Sequence, residues 1–207
     1  MMQRMHTHHG LALPTLMVML TVASLASLLA MRHLWVNEQL LNAEADQLRT
    51  QQHAQGVLPL ALQDILGSAA PTLRHDVGST TDSHVFYPNT LADYSVLQQR
   101  LGSANCKQGI CAPASATATL LQKASNWKQQ TQTAIAIGVA DSPDGAHAAW
   151  YWVEVFVEEN TGEFVYRITA LAQGVFPGST SVVQAIWKRT SPAATTGQWR
   201  SWRVLRD

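Results

Sequence analysis

The chain has 207 residues, with 14 Lys and Arg set against 14 Asp and Glu, so its formal net charge is zero. Charged residues make up 14% and hydrophobic ones 46%, a balance without the basic excess of a nucleic-acid surface, and no nucleic-acid partner is expected. Setting aside roughly fifty residues for membrane and stalk leaves about 150, room for one domain with a real core rather than two.

The chain opens with a hydrophilic stretch, MMQRMHTHHG, and then runs LALPTLMVMLTVASLASLLAM, Leu11 to Met31, without a charged residue. These 21 residues make about 31 Å of helix, the thickness of a hydrocarbon core. A cleavable secretory signal has a shorter apolar region and a helix-breaking tail. Here the helical pattern continues, because no Pro or Gly occurs from Arg32 to Gln55. Leu34, Leu41 and Leu48 recur every seven residues, with Ala45 beside the last two and Asn37, Glu38, Glu44, Asp46 and Arg49 supplying a polar surface. That narrow stripe belongs to a helix leaning on something. Gly56 and Pro59 punctuate its end. Residues 11–56 therefore read as one helix, with Pro14 in its first turn, where a missing N–H costs nothing.

Beyond it, residues 59–66 suggest a short helix, and DVGSTTDSHVFYPNT suggests a loop. The two cysteines lie in NCKQGICAP, as Cys106 and Cys111. In an exported domain that spacing reads as a small disulfide ring, with Gly109 permitting the turn. The scattered histidines offer no ligand spacing for a metal, and a redox motif would want Cys-x-x-Cys.

From Ala148 the periodicity changes to two. In AAWYWVEVFVEE, Tyr151, Val153, Val155 and Val157 alternate with Trp150, Trp152, Glu154, Phe156 and Glu158, the pattern of a strand with one aliphatic face. Asn160-Thr161-Gly162 signals a turn before EFVYRITALAQG, and Phe176-Pro177-Gly178-Ser179 a second before TSVVQAIWKR. A loop from Ser191 to Gly197 precedes a fourth strand, QWRSWRVLR. Short connections make this an antiparallel meander whose apolar face must be covered. The stripe from Leu41 to Leu48 is the expected cover, which gives an α+β fold of a long helix on a C-terminal antiparallel sheet.

No catalytic constellation stands out: there is no G-x-S-x-G, no H-E-x-x-H and no Gly-rich phosphate loop. Glu158-Glu159 sits beside a turn and reads as solvated, and His84 and His147 lie in loop-like surroundings. Neither enzyme activity, metal nor cofactor is expected. Trp150, Trp152, Trp187, Trp199 and Trp202 fit two readings, sheet packing and an exposed docking face.

The polar leader ending in Gly10, the unbroken apolar helix and its amphipathic continuation resemble the class III signal of type IV pilins and pseudopilins. The Cys-Lys-Gln-Gly-Ile-Cys-Ala-Pro loop and VYRITALAQGVFPGSTSVVQAIWKR resemble PilX-type minor pilins. The resemblance covers the two ends and one central landmark; residues 57–105 and 114–147 match poorly. It implies a leader of residues 1–10, cleavage by prepilin peptidase between Gly10 and Leu11, methylation of Leu11, a stalk helix over 11–56 and a globular domain over 57–207. Thr15 occupies the position where major pilins carry Glu, a departure shared by PilX-type minor pilins and K-type pseudopilins, both thought to sit near a filament tip. The implied function is priming of type IV pilus assembly. The implied partners are other minor pilins, the major pilin and the inner-membrane assembly machinery. The implied location is the inner membrane, single-pass with the C-terminal domain in the periplasm, and then the pilus. Two alternatives remain open: a signal-anchored periplasmic domain unrelated to pili, and a type II secretion pseudopilin, of which the K-type is larger than this chain, with an extra domain that this length cannot hold.

Overall fold

The computed structural model describes residues 12–67, 87–102, 106–112, 123–138, 149–158, 161–191, 194 and 196–207. In chain order the elements are α1 (Ala12–Ile65), α2 (Leu91–Leu101), β1 (Cys106–Lys107), β2 (Ile110–Cys111), α3 (Ala124–Gln129), β3 (Ile135–Ile137), β4 (Ala149–Val157), β5 (Phe164–Gln173), β6 (Thr180–Arg189) and β7 (Gly197–Leu205). The chain forms two compact units, Met1–Glu44 and Ala45–Asp207.

In the first unit the described chain is helix alone. Every side chain from 13 to 44 is exposed, and the helix is long and apolar enough to cross a membrane.

In the second unit the rest of α1 packs on the sheet, with Ala54, Val57, Leu58, Ala61 and Ile65 buried. The helix does not stop at Gly56 or Pro59, and no separate helix starts at Pro59; one α-helix runs through both to Ile65. An interior proline costs about 3 kcal/mol by removing a hydrogen bond and crowding the preceding turn. Burying Val57, Leu58 and Ile65 contributes about 1.5–3 kcal/mol each, enough to carry the helix through. The face that packs also differs from the expected one. Leu41 and Leu48 are 63% and 61% exposed, while the buried positions are Asp46, Thr50, Ala54, Val57, Leu58, Ala61 and Ile65, a stripe at three- and four-residue spacing. Ala54, Val57, Leu58, Ala61 and Ile65 of this face share one core with the alanines of the sheet, Ala170, Ala172 and Ala185.

The four-strand meander forms as the alternation predicts, with β4, β5, β6 and β7 antiparallel in that order. Two short elements extend the β4 edge: β2 pairs with it in parallel and β3 antiparallel, and β1 closes a hairpin with β2. The face toward α1 carries Tyr151, Val153, Val155, Tyr166, Ile168, Val183, Ala185 and Trp187. The opposite face is partly covered too. Trp127 of α3 packs against Trp152 with ring centroids 4.8 Å apart and planes tilted by 52°, beside Leu171, Val182 and Leu205.

Helix α2 begins at a reciprocal cap: Thr90 Oγ1 accepts from the Asp93 N–H at 3.1 Å and Asp93 Oδ2 accepts from the Thr90 N–H at 3.0 Å. It buries Leu97 and Leu101.

Gly56 sits in the interior of α1 with nothing within 4 Å of where a Cβ would stand. Gly56→Ala should therefore raise stability by about 0.5–1 kcal/mol. Denaturant unfolding followed by tryptophan fluorescence checks this, and a loss of stability would mean that the glycine is required where it stands.

Candidate functional site

Three regions of the second unit combine polar chemistry with defined geometry. The first is a clamp between α1 and the β5–β6 hairpin. Asp46 is 4% exposed, and its carboxylate accepts from the backbone N–H groups of Val175 at 3.3 Å and Phe176 at 3.1 Å. Beside it Thr50 Oγ1 donates to the Asp46 carbonyl at 2.7 Å. Ser179 Oγ donates to Gln47 Oε1 at 3.3 Å, and Gln47 Nε2 donates to the Thr180 carbonyl at 3.3 Å. Gly174 lies at the centre; a Cβ there would fall on Asp46 Oδ2, Thr50 Oγ1 and Ser179 Oγ. At the other end of α1, Tyr151 and Tyr87 both donate to Asp64 Oδ2, at 2.9 and 3.1 Å. Arg189 donates to the Ile65 carbonyl at 2.6 Å, satisfying a helix-end acceptor.

The second region is the cysteine loop. Cys106 and Cys111 are bonded to each other, as their spacing suggests. Gly109 has φ 72°, and a side chain there would strike Ile135 and the Tyr151 carbonyl. The Gly109 carbonyl instead accepts from the Val153 N–H at 2.7 Å, and its own N–H donates to the Thr133 carbonyl at 2.6 Å. The ring is thus a structural plug against β3 and β4, with both cysteines buried.

The third region is the outer end of the sheet. The five strand tryptophans divide: Trp152 and Trp187 are buried, Trp150 half-buried, and Trp199 and Trp202 47% and 51% exposed. The packing reading holds for Trp152 and Trp187, while Trp199 and Trp202 are exposed. Opposite Ile186 and Trp187 the β7 strand carries one extra residue, Arg200. That irregularity puts Trp199 and Trp202, three apart in sequence, on the same face. A cleft of about 500 Å³ lies between these indoles and Leu58 and Pro59 of α1.

Three ion pairs accompany these regions. Glu154, fully buried, is gripped by Arg167 through two bonds of 2.5 and 2.7 Å, with the guanidinium 4.7 Å from the Phe156 ring centre. Burial pushes the Glu154 carboxyl above its ordinary value, and Arg167 opposes that shift. The alternation marked Glu154 only as a residue facing away from Val153 and Val155; its buried partner is one register step across, on β5. At the sheet end Lys188 bridges Glu158 and Glu163, both at 2.7 Å.

Gly10 and Leu11, the expected processing residues, lie outside the described residues, as do His84, His147 and Glu159. Among the described residues no group of His, Cys, Asp and Glu has the arrangement of a metal site. The clamp at Asp46 was not foreseen; its only signal was an Asp and a Thr at positions 46 and 50, four apart on a helix. No family profile, curated protein or solved structure matches the chain.

Asp46→Ala leaves two hairpin N–H groups without their acceptor and should cost about 2–3 kcal/mol. Gly174→Ala should destabilise through the same contact, so that the double variant loses less than the sum of the two. Denaturant midpoints of the four proteins test this, and full additivity would show that the clamp does not couple them. A second expectation concerns acid. Hydrogen bonding from Lys188 and Thr161 holds Glu158 below its ordinary 4.5. The stability this contributes is present above that value and is lost as pH falls through the lower folded value. The melting-temperature gap between the parent and Glu158→Gln should therefore close on acidification; a gap that persists well below that range contradicts the pairing.

Proposed function

We propose that the chain is a minor pilin of the PilX type, which primes type IV pilus assembly from a place at or near the filament tip. The observation that carries this reading is α1. One unbroken helix of 54 residues offers an uncharged apolar surface over its first part and packs on a mostly antiparallel sheet over its last. Such a helix serves lipid first and a bundle of like helices afterwards, because both are apolar surroundings of the same thickness. The disulfide plug suits an oxidising compartment and supports passage to the periplasm.

In this reading prepilin peptidase cuts after Gly10 and Leu11 becomes the methylated first residue. The protein waits in the inner membrane with its sheet in the periplasm, then joins other minor pilins and the major pilin. Thr15 supports a terminal place. A carboxylate among apolar helices is costly unless a cation pairs with it, and a subunit with nothing ahead of it has no incoming amine to neutralise. A neutral Thr15, exposed on α1, avoids that cost. The work is binding and assembly, without chemistry on a substrate.

The test is processing and stoichiometry. N-terminal sequencing of membranes from cells with active prepilin peptidase should begin at Leu11, and a bulky residue at Gly10 should leave the precursor uncut. Sheared filaments should hold far less of this chain than of the major pilin, and its deletion should abolish piliation. An intact Met1 in those membranes would instead make the protein a signal-anchored domain, and an abundance equal to the major pilin would remove it from the tip.

A further inference from the structure

We infer that β7 and the cleft beside it form a docking site for an extended acidic polypeptide segment, which joins the sheet as a further strand. β7 gives one edge to β6, and among the described residues no strand pairs with its other edge. A free edge of nine residues presents a row of backbone donors and acceptors that a new strand satisfies at regular spacing.

The side chains say what kind of strand. On the α1 side, Trp199 and Trp202 continue the core face past Trp187 and Ala185 while α1 leaves them about half exposed, so alternate apolar side chains of the incoming segment would lie over the indoles, toward Leu58 and Pro59. Arg203 holds Gln184 Oε1 through bonds of 3.2 and 2.7 Å, while on either side of it Arg200, beside the same cleft, and Arg206 are exposed along this segment. Its acidic neighbours are already engaged: Asp207 accepts from the Ser125 N–H and Lys128, and Glu158 and Glu163 hold Lys188. The arginines therefore favour acidic side chains on the incoming strand. They also disfavour a second copy of β7, since an antiparallel pair centred on Arg203 sets Arg203 against Arg203 and Arg200 against Arg206, and like charges directly opposed are destabilising. Indoles beside arginines also suit glycans, but a sugar would leave the backbone row unpaired. The inference does not depend on membership of a pilus.

The test uses the full chain in lipid nanodiscs and an end-blocked decapeptide of alternating Glu and Val. At millimolar concentration this peptide should slow amide hydrogen exchange across 197–205 and shift tryptophan fluorescence. Its Lys-Val counterpart, and a Glu-Val peptide N-methylated at alternate residues, should bind about tenfold more weakly or worse. Trp202→Ala should weaken the Glu-Val peptide by about tenfold without altering exchange in β4 and β5, and Arg200→Glu combined with Arg206→Glu should reverse the charge preference. Equal binding of the Lys-Val or N-methylated peptide, no protection of β7, or a fluorescence response to chitohexaose in place of the peptide would each overturn the inference.

Discussion

The second unit depends on how closely α1 can approach the sheet, and two carboxylate acceptors, Asp46 buried and Asp64 half-buried, set that distance. Asp46 binds the N–H groups of the β5–β6 hairpin, and Asp64 binds the hydroxyls of Tyr151 and Tyr87. A carboxylate taken out of water costs several kcal/mol unless donors meet it, so the buried Asp46 tolerates only the register in which its donors arrive, and the half-buried Asp64 favours the same one. Between the two, Thr50, Ala54 and Ala61 face the sheet. Small side chains let the helix axis come near, and Gly174 lets the hairpin reach the carboxylate. A larger residue at any of these points would lift the helix off both anchors. The register is therefore fixed by polar contacts at the ends, while the apolar contacts between them supply most of the energy.

This division explains which parts of the fold were legible. β4, β5 and β6 were readable because each exposes two unlike faces, and a period of two leaves few alternatives over nine or ten residues. The helix existed plainly in the pattern, but its packing face did not. Leu34, Leu41 and Leu48 make the stronger hydrophobic signal, and a search for apolar periodicity selects large residues. The real interface joins Val57, Leu58 and Ile65 to Thr50, Ala54, Ala61 and a buried Asp46, and no hydropathy pattern ranks its polar and small members above leucine. Helix α2 was hidden for a related reason: LADYSVLQQRL buries only Leu97 and Leu101, and its clearest mark is the Thr90–Asp93 cap rather than its composition.

The end of α1 shows tertiary burial overriding local punctuation. Gly56 and Pro59 are ordinary stop signals, and in an isolated peptide they would stop the helix. Here the residues after them, Ala61 and Ile65, join Tyr151, Tyr166 and their neighbours in the core, and Arg189 donates to the Ile65 carbonyl at the helix end. Local cost and tertiary gain are of similar size, so a reading confined to the local signal ends the helix two turns early. The same limit applied to Glu154. Its position on the strand was visible, but its partner Arg167 lies across a register that only pairing reveals.

What remains uncovered follows from a core that is already closed. Helix α1 covers one face of β4, β5 and β6, and on the other face Trp127 packs on Trp152 while the Glu154–Arg167 pair is buried beside them. Trp199 and Trp202 can therefore be half exposed without leaving a hole, because β6 supplies Ala185 and Trp187 as the last complete row beneath α1. Leu48 is exposed for the opposite reason: it lies off the stripe that Asp46 and Thr50 fix against the hairpin. Neither the leucine nor the tryptophans can turn inward unless the anchored register shifts, which would strip Asp46 and Asp64 of their donors. The two polar anchors that place the helix thereby also decide which apolar side chains are left for other surfaces.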